Sequence, residues 1–300
     1  MKYFVLAVGM VALSNCGISE SEVTSSSADD MEQADESQAL STYFTSYVTL
    51  RYDMRRCISP LCGGYWVRSV NGAASQEETY VSALDFSRAK MSEETQALVR
   101  DGISEVIVKG RLGAREPQFN TRKLVVYGAW RGMPGVKPSA QAVFYRVDDK
   151  GIVCIKAPCP SLEARKLNGY KRAMVADIDV RDAALSGVDQ RWLAGRVARH
   201  GALVAGTLEG LTLDASQVYV QLPDSVGPCP AMPEFACGYG LTPVYSRTED
   251  RCTVWSKCVK KVTCPLVKPY CPPGYAAESW AGTANGCSMF ACVPEFVVTY

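Results

Sequence analysis

The sequence predicts an α+β protein with two tandem copies of a small antiparallel-sheet-plus-helix domain, followed by a disulfide-rich tail. Three observations predict this architecture. The motif C-I-x3-C begins at Cys57 and occurs again 97 residues later at Cys154. Apart from Cys16, twelve cysteines remain, and an even number is typical of a disulfide framework. After residue 228 the chain becomes rich in Cys, Pro, Gly and Tyr.

The composition is that of a folded protein and disfavours several kinds of function. The 300 residues are 47% hydrophobic and 21% charged, with a formal net charge of +1. Because nucleic-acid binding relies on a basic excess, no nucleic-acid partner is expected. His200 is the only histidine, so His-rich metal sites and catalysis by two imidazoles are excluded. P-loop, dinucleotide-binding, zinc-protease and serine-hydrolase motifs are absent, and we predict no cofactor and no metal.

Residues 1–15 are predicted to form a lipoprotein signal peptide. After Met1-Lys2, an apolar run over residues 3–13 is too short to span a bilayer but fits a secretory signal. The following L-S-N-C-G resembles the lipobox of bacterial lipoproteins, although Asn15 replaces the usual small residue. This resemblance implies that Cys16 carries the lipid. Cleavage by ordinary signal peptidase after Ser14, which leaves Cys16 as a free thiol, is the alternative.

Residues 16–41 are predicted to be the lipidated cysteine and an acidic, Ser-rich tether. Residues 17–41 contain seven acids and no Lys or Arg, so they lack the apolar surface that folding requires. The remaining body carries a formal charge of +7. We therefore expect an exported protein, held by its N-terminal lipid in the outer membrane or at the surface of a bacterial envelope.

The repeat divides the body into two copies, residues 42–137 and 138–224. In each copy the second cysteine of the motif is followed nine residues later by an Asn-Gly pair, at Asn71 and Asn168. Further matches, such as V-K-G-R-L with V-A-G-T-L, keep an offset between 94 and 97 residues. The small drift of the offset favours a duplication.

Each copy is predicted to contain one helix between β-rich segments. Ser92 is a candidate N-cap before two glutamates, and Gly102 supplies a C-terminal stop. The second helix is expected over residues 187–200. Segments rich in β-branched and aromatic residues are expected to be strands at 80–86, 106–112, 124–130 and 218–222.

The cysteines are predicted to form disulfides, because no C-x2-C pair typical of zinc sites occurs. We expect two local bridges, Cys57 with Cys62 and Cys154 with Cys159. The tail, residues 225–300, contains two modules at about 229–258 and 264–292. Three pairings are open within each module. The module cysteines are Cys229, Cys237, Cys252 and Cys258, then Cys264, Cys271, Cys287 and Cys292.

Other candidate site residues favour structural roles. His200, at a predicted helix end, is expected to interact with the last carbonyls rather than to catalyse. Asp177, Asp179 and Asp182 lack a calcium-loop pattern, and turn or capping roles are expected. Core or half-buried positions are expected for Trp66, Trp130 and Trp192.

The two motif regions, R-R-C-I-S-P-L-C-G-G-Y-W-V and G-I-V-C-I-K-A-P-C-P-S, resemble an uncharacterised domain-of-unknown-function family of bacterial lipoproteins. The resemblance covers residues 43–222 and implies localisation and duplication but no activity. The tail resembles C-P-x-C-x-x-G repeats of bacterial surface proteins. It also resembles antistasin-type protease inhibitors, although their cysteine pattern is denser.

These features predict a lipid-anchored envelope protein with a binding or structural role. Its expected partners are the membrane, through the lipid, and an envelope polymer or protein. No catalytic residue is assigned, and a non-enzymatic role is favoured. Two alternatives stay open, a hydrolase with a site between the repeat domains and a surface protease inhibitor acting through the tail.

Overall fold

The protein is mostly β. A computed structural model describes residues 40, 43–199, 201–224, 229, 231, 236–265 and 270–297. Of these residues, 44% lie in strands and 9% in helices, so the predicted α+β class is wrong. The reason is one of proportion, because the two helices have nine and ten residues while the longest strand has twelve. The helices contribute little to the layers of the fold.

Residues 46–132 form six strands and one helix. The helix, Glu93–Asp101, is followed by a 3₁₀ turn at Ile103–Glu105, which leads directly into the next strand. The elements are β1 (Ser46–Tyr52), β2 (Tyr65–Ser69), β3 (Thr79–Val81), β4 (Leu84–Asp85), α1 (Glu93–Asp101), β5 (Val106–Glu116) and β6 (Thr121–Gly132).

Residues 143–222 form the same succession of elements. These are β7 (Val143–Asp149), β8 (Leu162–Lys166), β9 (Arg172–Val175), β10 (Asp177–Asp179), α2 (Gln190–Arg199), β11 (Leu203–Glu209) and β12 (Thr212–Leu222). We call residues 46–132 the first half and residues 143–222 the second half.

The two halves share one twelve-stranded sheet rather than forming a separate sheet each. Its order is β3-β2-β1-β5-β6-β12-β11-β7-β8-β9, with β4 parallel to β6 and β10 parallel to β12. Read outward from the β6–β12 pair, the strand order of one half repeats that of the other. The expected pair of separate, wholly antiparallel domains is wrong, because β6 and β12 pair from Ala129↔Leu222 to Gly132↔Tyr219. The division of the chain at residues 137/138 and 224/225 stays a prediction.

Local sequence determines where the helices begin. Ser92 caps α1 by accepting a hydrogen bond from the Thr95 amide at 3.3 Å, and Gly102 follows the last turn, so the predicted boundaries are confirmed. The second helix is shorter than expected. The Asp189 carboxylate accepts hydrogen bonds from the backbone amides of Arg191 and Trp192, at 3.1 and 3.2 Å. The helix α2 therefore begins at Gln190 rather than at residue 187.

Both halves bend their sheet at a glycine. The β5–β6 ladder shifts register at Gly110, and the β11–β12 ladder shifts at Gly206. A Cβ at Gly206 would lie 2.2 Å from the carbonyl oxygen of Asp214, so only glycine fits there. The V-x-G-x-L match in the sequence therefore marks a bulge in each half.

Two clusters of buried apolar residues form the core. The larger cluster contains residues from most strands of the sheet and includes Trp192 and Leu213. The smaller one lies where the halves meet and contains Val70, Ile107, Trp130, Leu167, Leu203, Ala205 and Tyr219.

The tail forms two disulfide-linked hairpins. The first consists of β13 (Leu241–Arg247) and β14 (Thr253–Lys260), and the second of β15 (Tyr275–Ala281) and β16 (Ser288–Pro294). The second hairpin packs into the larger core cluster through Tyr275, Val293 and Phe296. The Tyr275 hydroxyl donates to the carbonyl oxygen of Pro134 at 3.0 Å. This hairpin is therefore part of the main body.

Candidate functional site

All twelve cysteines that were predicted to pair are joined in disulfides. The local bridges are Cys57–Cys62 and Cys154–Cys159. In each tail module the first cysteine pairs with the third and the second with the fourth, a choice that the sequence left open. These bridges are Cys229–Cys252, Cys237–Cys258, Cys264–Cys287 and Cys271–Cys292. The prediction of multiple disulfides is confirmed, and six bridges are typical of proteins of an oxidising, extracellular environment.

The remaining candidate residues do not form one site. Cys16 and His200 lie outside the described residues. The Asp179 carboxylate accepts a hydrogen bond from the Arg181 backbone amide at 3.0 Å and pairs with its guanidinium, which lowers the pKa of Asp179 to about 2. Within the described ranges, no group of three His, Cys, Asp or Glu side chains is placed to hold a metal ion.

The three tryptophans make specific contacts rather than a common platform. Trp192 is fully buried in the larger core cluster. The Trp130 indole donates to the carbonyl oxygen of Gly201 at 2.7 Å. Trp66 is half-buried and donates to the carboxylate of Asp53 at 3.2 Å. The region between the halves, where a hydrolase site was the alternative, contains the smaller apolar cluster around Trp130.

Three largely buried arginines connect α2 to the first tail hairpin and the two tail hairpins to each other. Arg196 of α2 lies 2.9 Å from a carboxylate oxygen of Asp224 and 3.0 Å from one of Asp250. Arg247 and Arg251 both pair with Glu278 of the second hairpin. Burial lowers the pKa of Arg251, while the Glu278 carboxylate opposes that shift. Buried ion pairs add little net stability, but they favour one docking geometry over others.

A cavity of about 400 Å³ lies beside this network. It is enclosed by the segment that leads into α2, the end of β13 and the two strands of the second hairpin. Aromatic and apolar side chains share its wall with polar ones. The lining includes Asp189, Tyr245, Ser246, Arg247, Trp280 and Met289.

Arg247 is the most constrained polar group of this cavity. Its side chain is only 5% exposed, and its guanidinium lies over the Trp280 ring at 4.7 Å. Its Nη1 atom is buried and makes no hydrogen bond within the described part of the chain. The nearest carboxylate oxygen of Asp189 is 3.8 Å away, which is too long for a hydrogen bond. Because buried donors normally have acceptors, the unpaired Nη1 marks Arg247 as the group of this cavity whose hydrogen bonding is incomplete.

The charges around the cavity balance. The lining contains two cations, Arg191 and Arg247, and one acid, Asp189. Glu278 lies outside the lining, but it pairs with Arg247 and offsets its charge. A strongly charged ligand therefore has no net attraction to this site. Carboxylate acceptors, guanidinium donors and the Ser246 hydroxyl instead match a neutral ligand with several hydrogen-bonding groups.

Sequence reasoning missed these residues because three stretches that lie far apart in the chain, 187–191, 245–248 and 280–291, contribute them. Only Asp189 carried a local signal, as an acid directly before a helical pattern. Arg247 and Trp280 are ordinary in sequence and acquire their roles through the docking of the hairpins.

Among the described residues, no helix is long and apolar enough to span a bilayer.

The fold and the cavity define a class, that of mostly β, disulfide-rich proteins whose two halves share one sheet beside a small cavity. The chain belongs to the family described as a domain of unknown function (DUF6748), whose model matches residues 46–218. This range covers the first half and all but the last four residues of the second half. An uncharacterized protein of Dictyostelium discoideum is 29% identical over 261 residues, which are 84% of this chain and 88% of that protein. No solved structure matches the chain.

Proposed function

We propose that this chain is an exported, lipid-anchored binding protein of the bacterial cell envelope, with its lipid at Cys16. Its ligand is a neutral, polyhydroxylated segment of an envelope polymer, held in the cavity between α2 and the tail hairpins. The observation that carries this proposal is the cavity itself, in which Arg247, stacked on Trp280, lies beside Asp189 and Ser246.

The chemistry of the cavity supports this ligand class. A sugar ring has an apolar face that packs on aromatic side chains such as Tyr245 and Trp280. Its hydroxyls both donate and accept, so one ring can donate to Asp189 and accept from Arg247. The absence of net charge around the cavity favours a neutral polymer over an acidic one.

Occluding the cavity tests the proposal. Ser246 is exposed on β13 and lines the cavity, so Ser246→Trp places an indole in the binding space without disturbing the core. We expect at least a tenfold loss of affinity for neutral oligosaccharides of glucose, mannose, galactose or N-acetylglucosamine, measured by calorimetry.

The matched control is Ser279→Trp, which makes the same change at an exposed position of β15 outside the cavity. It should bind as the parent protein does. Failure of the parent to bind any of these sugars, or equal affinity in Ser246→Trp, would show the ligand class or the site to be wrong.

A further inference from the structure

The two C-I-x3-C loops each expose an isoleucine at the same position of the motif. Ile58 is 82% exposed and Ile155 is fully exposed. Neighbouring apolar side chains are exposed as well, including Leu61 in the first loop and Val153, at 93%, in the second. Duplicated positions normally stay apolar because they are buried. An apolar residue that is exposed in both halves therefore indicates a contact with something outside the chain.

In sequence, cations and no acids flank these isoleucines within each loop. Residues 54–63 contain two arginines, residues 150–161 contain two lysines, and neither segment contains Asp or Glu. In each loop one cation pairs with a buried acid at the base, Arg55 with Asp53 and Lys150 with Glu163. The other cation lies close to the isoleucine in sequence.

Each loop is held in place before any partner arrives. The disulfide closes a five-residue separation in both. In the first loop, the Leu61 amide donates to the carbonyl oxygen of Ile58 at 3.0 Å, and the Tyr80 hydroxyl donates to that of Pro60 at 2.9 Å. In the second, the Ser161 amide donates to the carbonyl oxygen of Cys159 at 2.8 Å. A preformed tip loses little conformational entropy on binding.

The two loops follow strands that run in opposite directions. Five successive antiparallel pairings connect β1 to β7 through β5, β6, β12 and β11, so β1 and β7 run in opposite directions. The first loop follows the end of β1 and the second follows the end of β7. The two loops therefore leave the sheet at opposite ends of its strands.

We propose that the two C-I-x3-C loops are insertion tips for an anionic lipid bilayer, and that one molecule bridges two such surfaces. A convex apolar tip suits the deformable interface of a bilayer, and the adjacent cations are attracted to anionic headgroups. A carboxylate-free tip has the charge complementarity that this partner requires. The inference is independent of the cavity and of its ligand.

The test uses the full chain carrying Cys16→Ser, so that no lipid attached at that residue contributes to binding. The probe is a vesicle of equal parts phosphatidylcholine and phosphatidylglycerol, compared with phosphatidylcholine alone. Sedimentation measures binding and turbidity measures vesicle clustering. We expect binding to the anionic vesicles, weakened by salt, together with clustering.

Variants of the isoleucines separate the two parts of the proposal. Ile58→Ser and Ile155→Ser should each still bind but should no longer cluster vesicles. The double variant should bind at least tenfold more weakly, because burying one such side chain is worth about tenfold in an equilibrium constant. Tyr239→Ser, at a fully exposed aromatic outside the loops, is the control and should change nothing.

Three results would overturn the proposal. These are equal binding to neutral and anionic vesicles, unchanged binding of the double variant, and clustering that persists in either single variant. Circular dichroism of every variant confirms folding, which substitutions at such exposed positions leave intact.

Discussion

At the residue scale, two asparagines join the halves of the sheet by reciprocal hydrogen bonds. The Asn71 side chain accepts from the Phe144 amide at 2.9 Å and donates to the Phe144 carbonyl oxygen at 2.8 Å. Asn168 makes the same two bonds to Tyr47, at 2.8 and 2.7 Å. Both asparagines have positive φ, 57° and 56°, a conformation that Asn tolerates better than most residues. The Asn-Gly pairs are therefore turns and contacts between the halves at once.

Replacing either asparagine by alanine should destabilise the protein. Asn71→Ala leaves the Phe144 amide without its acceptor and removes a donor from the carbonyl oxygens of Phe144 and Leu167, although the Leu167 amide still donates to the former. We expect a loss of about 2–3 kcal/mol in the free energy of unfolding. Chemical denaturation measures this loss. Asn120→Ala is the control, because Asn120 also has positive φ, 54°, but its side chain bonds an exposed arginine. Its cost should be only about 1 kcal/mol. Equal costs for both variants would contradict a joining role for Asn71.

Glu163 is a titratable group whose ion pairs affect stability in acid. Lys150 and Arg165 hydrogen-bond its carboxylate and lower its pKa to about 2. Because this pKa is depressed by folding, the stabilisation is complete above the ordinary value of 4.5 and is lost as the pH falls towards 2. Glu163→Gln should lower stability at neutral pH and flatten this acid-side loss, as measured by denaturation at several pH values. Glu209→Gln, at an exposed strand end, should keep the slope of the parent protein.

At the scale of elements, the helices of the two halves have different neighbours. In α2, Arg196 forms an ion pair with Asp250 of the first tail hairpin. The second hairpin reaches the segment that leads into α2, where the Cys292 amide donates to the carbonyl oxygen of Gly187 at 2.8 Å. The tail thus distinguishes two halves that share one strand order, and the cavity that it lines lies beside the second half.

The Cys271–Cys292 disulfide should contribute more to stability than the local Cys154–Cys159 disulfide. Cys271–Cys292 closes a separation of 21 residues and places Cys292 in the core, whereas Cys154–Cys159 closes a separation of five in an exposed loop. Replacing both Cys271 and Cys292 by alanine should cost about 3 kcal/mol from chain entropy, plus the lost packing. Replacing both Cys154 and Cys159 by alanine should cost about 2 kcal/mol. Thermal unfolding under non-reducing conditions compares them, and the reverse order would contradict a core role for the second hairpin.

At the scale of the whole molecule, the family match ends at residue 218, but the folded unit extends beyond it. Tyr275, Val293, Phe296 and Val297 belong to the larger core cluster. A chain that ends at Asp224 would expose the surface that these residues cover, and Arg196 would lose its contact with Asp250.

A protein shortened to end at Asp224 should therefore be much less stable than the full chain. Binding of a dye specific for exposed apolar surface, together with thermal unfolding, measures the effect. Phe296→Ala in the full chain is the milder comparison and should cost about 3–5 kcal/mol, as do other buried aromatic truncations. If the shortened protein unfolds at the same temperature as the full chain, the tail is an accessory rather than part of the body.

The sequence by itself determined the local features of this protein. Ser92 and Gly102 mark the two ends of α1, and the sequence shows this because caps act within one helical turn. The motif cysteines are close enough in the chain to pair locally, and the even cysteine count and the repeat spacing are properties of the chain alone. Family membership follows from the same sequence signal.

Only the tertiary structure decided the class, the shared sheet and the site. The β6–β12 pairing joins residues about 90 positions apart, and no local pattern reports whether two similar halves fold separately or pair edge to edge. The choice among tail disulfides required the hairpin geometry. Arg247, Asp189 and Trp280 come from distant segments, so their contacts depend on how the hairpins dock on α2. Exposure of Ile58 and Ile155 is likewise a tertiary property, because an apolar residue in sequence predicts burial.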